Sequence, residues 1–430
     1  MGYGQLKPDG YIGRIMDSRL EHLLGLFGAV EVAGTMWCGK TWTSLSFSES
    51  VTRIGLSGPR TAAEADPSTA LVGARPHLVD EWQDVPAIWD EVRAAIDADV
   101  ASRGSFILTG SAEPNKDKVH HSGAGRIAKL RMSTMTLQET GQSSGAVSLA
   151  GLFEGEFEPQ LVQQRLEPLA KAVCKGGWPA LARCEGGSSE YLDSYFEALF
   201  GVSIPRKGLS GDESRSVALS LARNLGTAAK LATIAGDSQI AAPNPKVAAE
   251  RASAHVSALE ELYVVEQLKG WDAPIRSRSR LRTKPKRYFA DPSLAANLLQ
   301  VTPDRLLGDG QLFGILFKTL AIHDLAVYAR ALPGASSEPL RYYRDSDGLE
   351  IDAVIELRDG RWAPVEIKLG DNKAPEAFAS INRLRRKVAA NPAARNPKPS
   401  FSAVVVGAGE FARYDKDADV YVIPLTALGV

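Results

Sequence analysis

Gly34-Thr35-Met36-Trp37-Cys38-Gly39-Lys40-Thr41 is the most informative segment of this chain. It fits the pattern G-x-x-x-x-G-K-[ST] at every fixed position. The glycines let the backbone curl so that successive N–H groups point at phosphate oxygens. The pattern therefore predicts a phosphate-binding loop, with all eight residues as candidate nucleotide contacts.

The sequence on either side of this loop favours the same interpretation. An apolar run at 29–33 is long enough for a buried strand, and residues 42–48 can form a helix. Lys40 is expected to reach the β- and γ-phosphates of a nucleotide, and the Thr41 hydroxyl to bind Mg²⁺. No N-K-x-D-like guanine reader follows, so ATP is the expected ligand rather than GTP.

Composition limits the classes of protein to which the chain can belong. The 430 residues include 50 basic and 51 acidic side chains, and a net charge of -1 gives no global attraction to nucleic acid or membrane. Three cysteines without metal-ligand spacing favour a reducing compartment. The N-terminus shows no basic-then-apolar signal, and no apolar run approaches the length of a membrane span, so neither a leader nor a membrane span is expected. The expected location is the cytoplasm.

A second motif is the short apolar run 77–79, which ends in Asp80 and Glu81. In a nucleotide site, one carboxylate holds Mg²⁺ and the adjacent carboxylate polarises the attacking water. Asp80 is expected to take the first role and Glu81 the second. The alternative is a solvated strand end.

A third predicted strand covers residues 105–111 and ends in small polar side chains. Ligands bind at the carboxyl ends of strands in a doubly wound sheet, so Thr109 or Ser111 is expected to sense the γ-phosphate or the water. Arg126 follows in a glycine-rich segment. It is a candidate for contacting phosphate, either within its own chain or across a subunit interface, and its alternative is an ordinary surface ion pair.

These motifs together resemble the AAA+-type bacterial and archaeal ATPases that carry a C-terminal DUF4143 domain. The matching segments are the phosphate loop, Val79-Asp80-Glu81-Trp82-Gln83, Leu108-Thr109-Gly110-Ser111 and Gly125-Arg126-Ile127. The resemblance implies an α/β fold with three domains. They are an AAA+-like P-loop ATPase domain at 1–150, with helices on both faces of a parallel sheet, a helical, winged-helix-like domain at 155–300, and a restriction-endonuclease-like α/β domain at 301–430.

The middle region holds the only concentrated positive charge in the sequence. Six basic residues alternate with other residues over an uninterrupted non-acidic segment: Arg276, Arg278, Arg280, Arg282, Lys284 and Lys286. Period-two spacing would place them on one face of an extended ribbon. The functional interpretation is a wing that contacts DNA or another nucleic acid through its phosphates. The alternative is a charged hairpin edge that resists aggregation.

Residues 301–430 resemble the core of the PD-(D/E)xK nuclease superfamily in their predicted element order, α-β-β-β-α-β. Asp352, Glu366 and Lys368 match its site motif. Two carboxylates on neighbouring strands can chelate Mg²⁺ beside an ammonium group that assists water. Lys318 stands where this family usually carries a glutamate, which favours a degenerate, binding-only fold over active cleavage.

The sequence as a whole predicts a Mg²⁺-dependent, ATP-binding and ATP-hydrolysing protein of AAA+ type. In this scheme Lys40, Glu81, Ser111 and Arg126 serve catalysis, and Thr41 and Asp80 hold the metal. Two alternatives stay open. One is a nucleotide-gated binding module with slow turnover, and the other is an active nuclease. An AAA+-like core also makes an oligomer conceivable.

Overall fold

The computed structural model describes residues 6–99, 103–113, 122–274, 277, 280 and 283–430. These residues form two compact units. The first contains the described residues up to 135 together with 178–180 and 261–263, and the second contains the rest. The helical segment and the C-terminal sheet therefore share one unit, and the predicted boundary between them stays a prediction.

The first unit is built on a five-stranded parallel sheet. Its strands are β1 (Ala29–Ala33), β2 (Ser50–Arg53), β3 (His77–Asp80), β4 (Phe106–Gly110) and β5 (Ile127–Arg131). Its helices are α1 (Asp17–Leu26), α2 (Lys40–Leu45), α3 (Ser57–Ala65) and α4 (Ile88–Ala98).

The order of the strands explains their composition. The sheet runs β2-β3-β4-β1-β5, so β3, β4 and β1 are central. Central parallel strands are covered on both faces, and these three are mostly apolar and almost wholly buried. The register pairs Thr109 with both Val32 and Asp80, which brings the ends of the three central strands level. The phosphate loop follows β1, one of these three strands.

The second unit begins with several short elements and helices. They are β6 (Val147–Ser148), α5 (Leu149–Glu154), β7 (Gln160–Gln164), α6 (Leu166–Lys175), α7 (Ser188–Ala198), α8 (Gly211–Arg223), α9 (Leu231–Asp237) and α10 (Pro245–Glu261). An antiparallel pair follows, β8 (Val265–Leu268) and β9 (Lys286–Phe289), and then α11 (Pro292–Leu298) and α12 (Pro303–Gly308).

The end of the chain forms a mixed sheet. Its elements are α13 (Gly310–Ala331), β10 (Ala335–Arg344), β11 (Glu350–Leu357), β12 (Trp362–Gly370), α14 (Ala374–Ala389), β13 (Ala403–Asp415), β14 (Val420–Pro424) and the two-residue β15 (Leu428–Gly429). Strands β10 to β14 lie in sequence order, with only β12 and β13 parallel. Ile381 and Leu384 of α14 pack on Val354 and Val404 in the core.

Two expectations about this unit are wrong. The sequence pattern predicts a single helix over residues 161–175, but β7 occupies the first part of that range and pairs antiparallel with β13. The distant strand supplies backbone partners that local periodicity does not reveal. The second wrong expectation is that no apolar run approaches the length of a membrane span. Within the described residues, one helix, Gly310–Ala331, is long and apolar enough to cross a membrane, with a mean hydropathy of 1.5 over its most apolar 18 residues. However, 78% of these 18 residues are buried inside the protein, as in a core helix.

Candidate nucleotide site

The phosphate loop is shaped by close backbone contacts. A Cβ atom on Gly34 would lie 2.1 Å from the carbonyl oxygen of Met132, so only glycine fits there. Gly39 has φ 100°, in the left-handed region that glycine adopts without strain. Arg14 supports the loop from the inside, since its buried guanidinium donates to the carbonyl oxygens of Cys38 at 2.9 Å and Ser133 at 2.8 Å.

Lys40 and Thr41 follow the loop on the first turn of α2. The Lys40 side chain is only 4% exposed, and its ammonium group donates to the Thr35 carbonyl oxygen at 2.8 Å. That partner is neutral, so the positive charge remains available to an anion bound in the loop. The Thr41 hydroxyl donates to Oδ1 of Asp80 at 2.8 Å. The loop and the acidic motif therefore meet, although 39 positions separate these two residues.

Thr109 joins the two residues of the acidic motif. Its fully buried hydroxyl donates to Oδ1 of Asp80 at 2.6 Å and accepts from the backbone N–H of Glu81 at 3.1 Å. Asp80 Oδ1 thus accepts from two hydroxyl groups, one on the first turn of α2 and one at the end of β4. Sequence reasoning placed Thr109 near the ligand, but its contact with both acidic residues depends on the register between β3 and β4.

Glu81 is held by side chains from its own turn and from the next strand end. Its carboxylate Oε2 accepts from the Ser111 hydroxyl at 2.9 Å and from the Gln83 amide. Its backbone is left-handed, with φ 60°, which is uncommon for a residue other than glycine and found where surrounding contacts enforce it. Ser111 therefore orients Glu81. Sequence analysis gave Gln83 no role, although this residue belongs to the matching segment Val79-Asp80-Glu81-Trp82-Gln83.

The oxygen atoms at this edge fit a magnesium ion. Thr41 supplies a hydroxyl and Asp80 a carboxylate, and Mg²⁺ is commonly bound by one or two such protein groups, with water and phosphate oxygens completing its shell. Among the described residues no group of three or more His, Cys, Asp or Glu side chains could hold a metal by itself. The arrangement suits an ion that arrives with a phosphate ligand.

Arg126 does not lie at this edge of the sheet. It precedes β5, and its carbonyl oxygen accepts from the N–H of Ala29, the first residue of β1. Strands of five residues put about 15 Å between that end and the loop. Its guanidinium pairs with Asp97 at 2.8 Å and is 48% exposed. Contact with phosphate in its own chain is therefore wrong, whereas contact across a subunit interface stays a prediction.

A second cluster of charged side chains lies in the C-terminal sheet. Asp352 and Glu366 are 4% and 3% exposed on the neighbouring strands β11 and β12. Lys368 donates to Glu366 Oε2 at 2.9 Å, and the N–H of Ile367 donates to Asp352 Oδ2 at 3.1 Å. The three residues of the predicted nuclease-like motif therefore lie in one cluster.

Lys318 of α13 places a positive charge in that cluster. Its ammonium group lies 2.6 Å from Asp352 Oδ1, the position from which a carboxylate would otherwise bind metal. Burial by itself would raise the pKa of Asp352, but the charges of Lys318 and Lys286 hold it below its usual range. Burial and the Asp352 charge raise the pKa of Glu366. A neutral glutamic acid and a lysine-bound aspartate form a poor site for a divalent cation.

The basic segment does not form one open ribbon face. Lys286 is 2% exposed and pairs with Glu350, while Arg280 forms a two-pronged ion pair with Glu356 at 2.8 Å. These two residues are removed from the predicted interface, because acidic partners within the second unit neutralise them. Lys284 is exposed. Arg276, Arg278 and Arg282 lie outside the described residues.

Comparison with known families agrees with the N-terminal site. Residues 27–141 match the AAA domain family, residues 166–305 match a domain of unknown function called DUF8612, and residues 313–428 match the domain of unknown function DUF4143. The chain therefore carries an AAA domain of the P-loop ATPase class in its N-terminal part and a DUF4143 domain in its C-terminal part.

Related proteins include uncharacterized proteins of Mycobacterium bovis and Mycobacterium tuberculosis, each 26% identical over 82% of this chain and 72% of the relative. Among solved structures, a Walker-type ATPase of Pyrococcus abyssi matches with 11% identity and a TM-score of 0.42, over 69% of this chain and 98% of that one. A RuvB variant of Thermotoga maritima matches with 16% identity and a TM-score of 0.29, over 61% and 93%.

Proposed function

We propose that this protein binds ATP with magnesium at the 34–41 loop and hydrolyses it. The observation that carries the proposal is the chain of contacts from Thr41 through Asp80 and Thr109 to Glu81. It joins the residue that follows the phosphate-loop lysine to both members of the acidic motif. These residues come from three different elements: the first turn of α2, the end of β3 and the end of β4.

The proposed catalysis consists mainly of positioning and charge neutralisation. The loop N–H groups and the Lys40 ammonium bind the phosphate oxygens and stabilise the charge that grows on them as the γ-phosphoryl group transfers. Thr41 and Asp80 would hold Mg²⁺, which when bound neutralises negative charge on the β- and γ-phosphates. Neither step requires a covalent intermediate on the protein.

Glu81 is the residue proposed to act on water. Its carboxylate accepts a hydrogen bond from the attacking water and takes up its proton as the bond between the γ-phosphorus and the bridging oxygen breaks. Ser111 and Gln83 fix the direction of the carboxylate, and Thr109 fixes its backbone. Inorganic phosphate and ADP are the products.

A nucleotide-gated switch is the second candidate, because both of the Glu81 contacts described above engage the same oxygen, Oε2. With Oε2 occupied by these two contacts, only Oε1 is left to accept a hydrogen bond from the attacking water. In a switch the protein would bind ATP tightly and turn it over slowly, with the bound state read by a partner. The acidic motif would then serve affinity more than rate.

Steady-state hydrolysis and equilibrium binding of ATP test both candidates on the full chain. We expect Lys40→Ala to lose ATP affinity, whereas Glu81→Gln should bind ATP normally and lose turnover by a factor of about 100 or more. Tight binding with negligible turnover in the unmodified chain would favour the switch. Failure of the unmodified chain to bind ATP at millimolar concentration would refute both.

Lys373→Ala is the matched control for Lys40→Ala. Its ammonium group is exposed and pairs with Glu376 in the second unit, so loss of the charge there should not change ATP affinity.

The same assay with added DNA tests the nucleic-acid partner. Stimulation that Lys284→Glu reduces would support contact through the remaining basic residues, and identical turnover with and without DNA would argue against it.

A further inference from the structure

The tryptophans of this protein are distributed unevenly between the core and the surface. Five of the seven are buried, with exposed fractions of 9% or less: Trp82, Trp89, Trp178, Trp271 and Trp362. The other two are Trp37, at 39%, and Trp42, at 49%. Both exposed indole rings thus belong to the phosphate loop or to the residue directly after it.

The surrounding chain makes this exposure notable. From residue 29 to residue 48, Trp37 and Trp42 are the only exposed residues. Single exposed apolar side chains are common on protein surfaces and need no explanation, but two tryptophans five positions apart are a different case. Trp37 also has φ 62°, an unfavourable backbone region for a bulky residue. Such conformations persist mostly where function requires them.

The polar groups of the site show which end of a nucleotide lies where. Lys40, Thr41 and Asp80 converge on the position for the terminal phosphates. Trp42 is the exposed residue of the first turn of α2, directly after the loop, where a sugar and base would extend from the bound phosphates. An indole ring offers a flat π-face, and nucleobases stack well on such faces.

We propose that Trp42 is the stacking surface for the nucleotide base, so that it sets the preference of the loop for nucleoside triphosphates over bare polyphosphate. This inference rests on the proposed nucleotide function and adds the residue that recognises the base. Trp37 lies within the loop itself and is assigned to the phosphate end of the ligand. Stacking tolerates any base with a large π-surface, so purine nucleotides should bind better than pyrimidine nucleotides.

Comparison of ATP with inorganic tripolyphosphate tests the assignment, because the two ligands share the phosphate chain and differ in the base and sugar. Both are titrated by calorimetry, with Mg²⁺ present, into the unmodified chain, Trp42→Ala, Trp42→Phe and Trp37→Ala. We expect Trp42→Ala to weaken the binding of ATP about 5- to 150-fold, the range found for base stacking on aromatic residues. The binding of tripolyphosphate should weaken less than about twofold. Trp42→Phe should restore most of the ATP affinity.

Intrinsic fluorescence gives a second readout, which a merely structural role of Trp42 would not change. Exposed indoles dominate quenching by acrylamide, and in Trp37→Ala the remaining exposed indole is Trp42. ATP should therefore protect this variant from quenching, and tripolyphosphate should protect it much less. Phe411→Ala is the matched control, since this exposed aromatic residue lies on β13 of the other unit and should alter neither ligand.

The outcomes separate this inference from the proposed function. The assignment of the base to Trp42 would be overturned if Trp42→Ala weakened the affinity for both ligands equally or for neither. It would also be overturned if only Trp37→Ala weakened the affinity for ATP. Tripolyphosphate binding without any preference for ATP would overturn it as well, while leaving the phosphate loop intact. Absence of binding of either ligand to the unmodified chain would overturn the proposed function itself.

Discussion

Replacing Thr109 with valine removes one hydroxyl from the centre of the candidate site and hardly changes its volume. The hydroxyl makes two hydrogen bonds, to Asp80 Oδ1 at 2.6 Å and from the Glu81 N–H at 3.1 Å. A hydrogen bond to a charged group contributes about 1.5–3 kcal/mol, and the Glu81 N–H would be left without its acceptor. Both acidic residues would lose their common support.

That free energy converts directly into an expected rate. If the lost contact is realised only when Asp80 and Glu81 are correctly placed, turnover of ATP by Thr109→Val should fall about 10- to 150-fold. ATP affinity should change by less than about threefold, because Lys40 and the loop N–H groups are untouched. Thr109→Ser keeps the hydroxyl and should retain most of the turnover.

Thr52→Val is the matched control, because Thr52 lies on β2 of the same sheet and its hydroxyl contacts only the ring of His77 among the hydrogen bonds described, at 3.1 Å. It should leave both turnover and affinity within about twofold. Unchanged turnover in Thr109→Val would refute the reasoning that this hydroxyl positions the acidic pair. A parallel loss in Thr52→Val would show that general damage to the sheet explains the effect.

Two further predictions concern the C-terminal cluster. Lys318→Met leaves Asp352 buried without its closest cation and should lower the free energy of unfolding, measured in urea, by about 3 kcal/mol. The control Lys373→Met removes an exposed charge and should lower it by less than about 1 kcal/mol. Equal effects of the two substitutions would contradict this role of Lys318. Burial and the Asp352 charge raise the pKa of Glu366, so the folded protein keeps a proton that the unfolded chain releases. The free energy of unfolding should therefore fall as pH rises above the ordinary glutamate pKa. Glu366→Gln should reduce this dependence on pH in urea titrations from pH 5 to 9. An unchanged pH dependence in the variant would contradict the raised pKa of Glu366.

The first unit could be predicted well because its signals are local. The eight-residue loop pattern, the apolar runs of the central strands and the Asp80-Glu81 pair each lie within a few positions of one another. Buried parallel strands are recognisable because both of their faces are apolar. The AAA domain of the N-terminal part and the DUF4143 domain of the C-terminal part were likewise identified from such short motifs.

The misassigned residues share a physical cause. Arg126 was placed near phosphate because it follows a glycine-rich segment, yet its position at the amino end of β5 depends on the direction of that strand in the sheet. Lys286 and Arg280 were counted as free charges, and their acidic partners Glu350 and Glu356 lie 64 and 76 positions away in the chain. The alternation of charges along a sequence says nothing about such distant partners.

Sequence alone therefore determined the chemistry that this chain can offer: a loop suited to phosphate, a hydroxyl and a carboxylate suited to magnesium, and a second carboxylate suited to water. Tertiary structure decided which of these groups meet. Thr109 joins the two acidic residues only because β4 lies between β3 and β1, and Lys318 neutralises Asp352 only because α13 packs beside the sheet. Hydrogen bonds and ion pairs act over a few ångströms, so their partners are set by strand order and register, which no local pattern specifies.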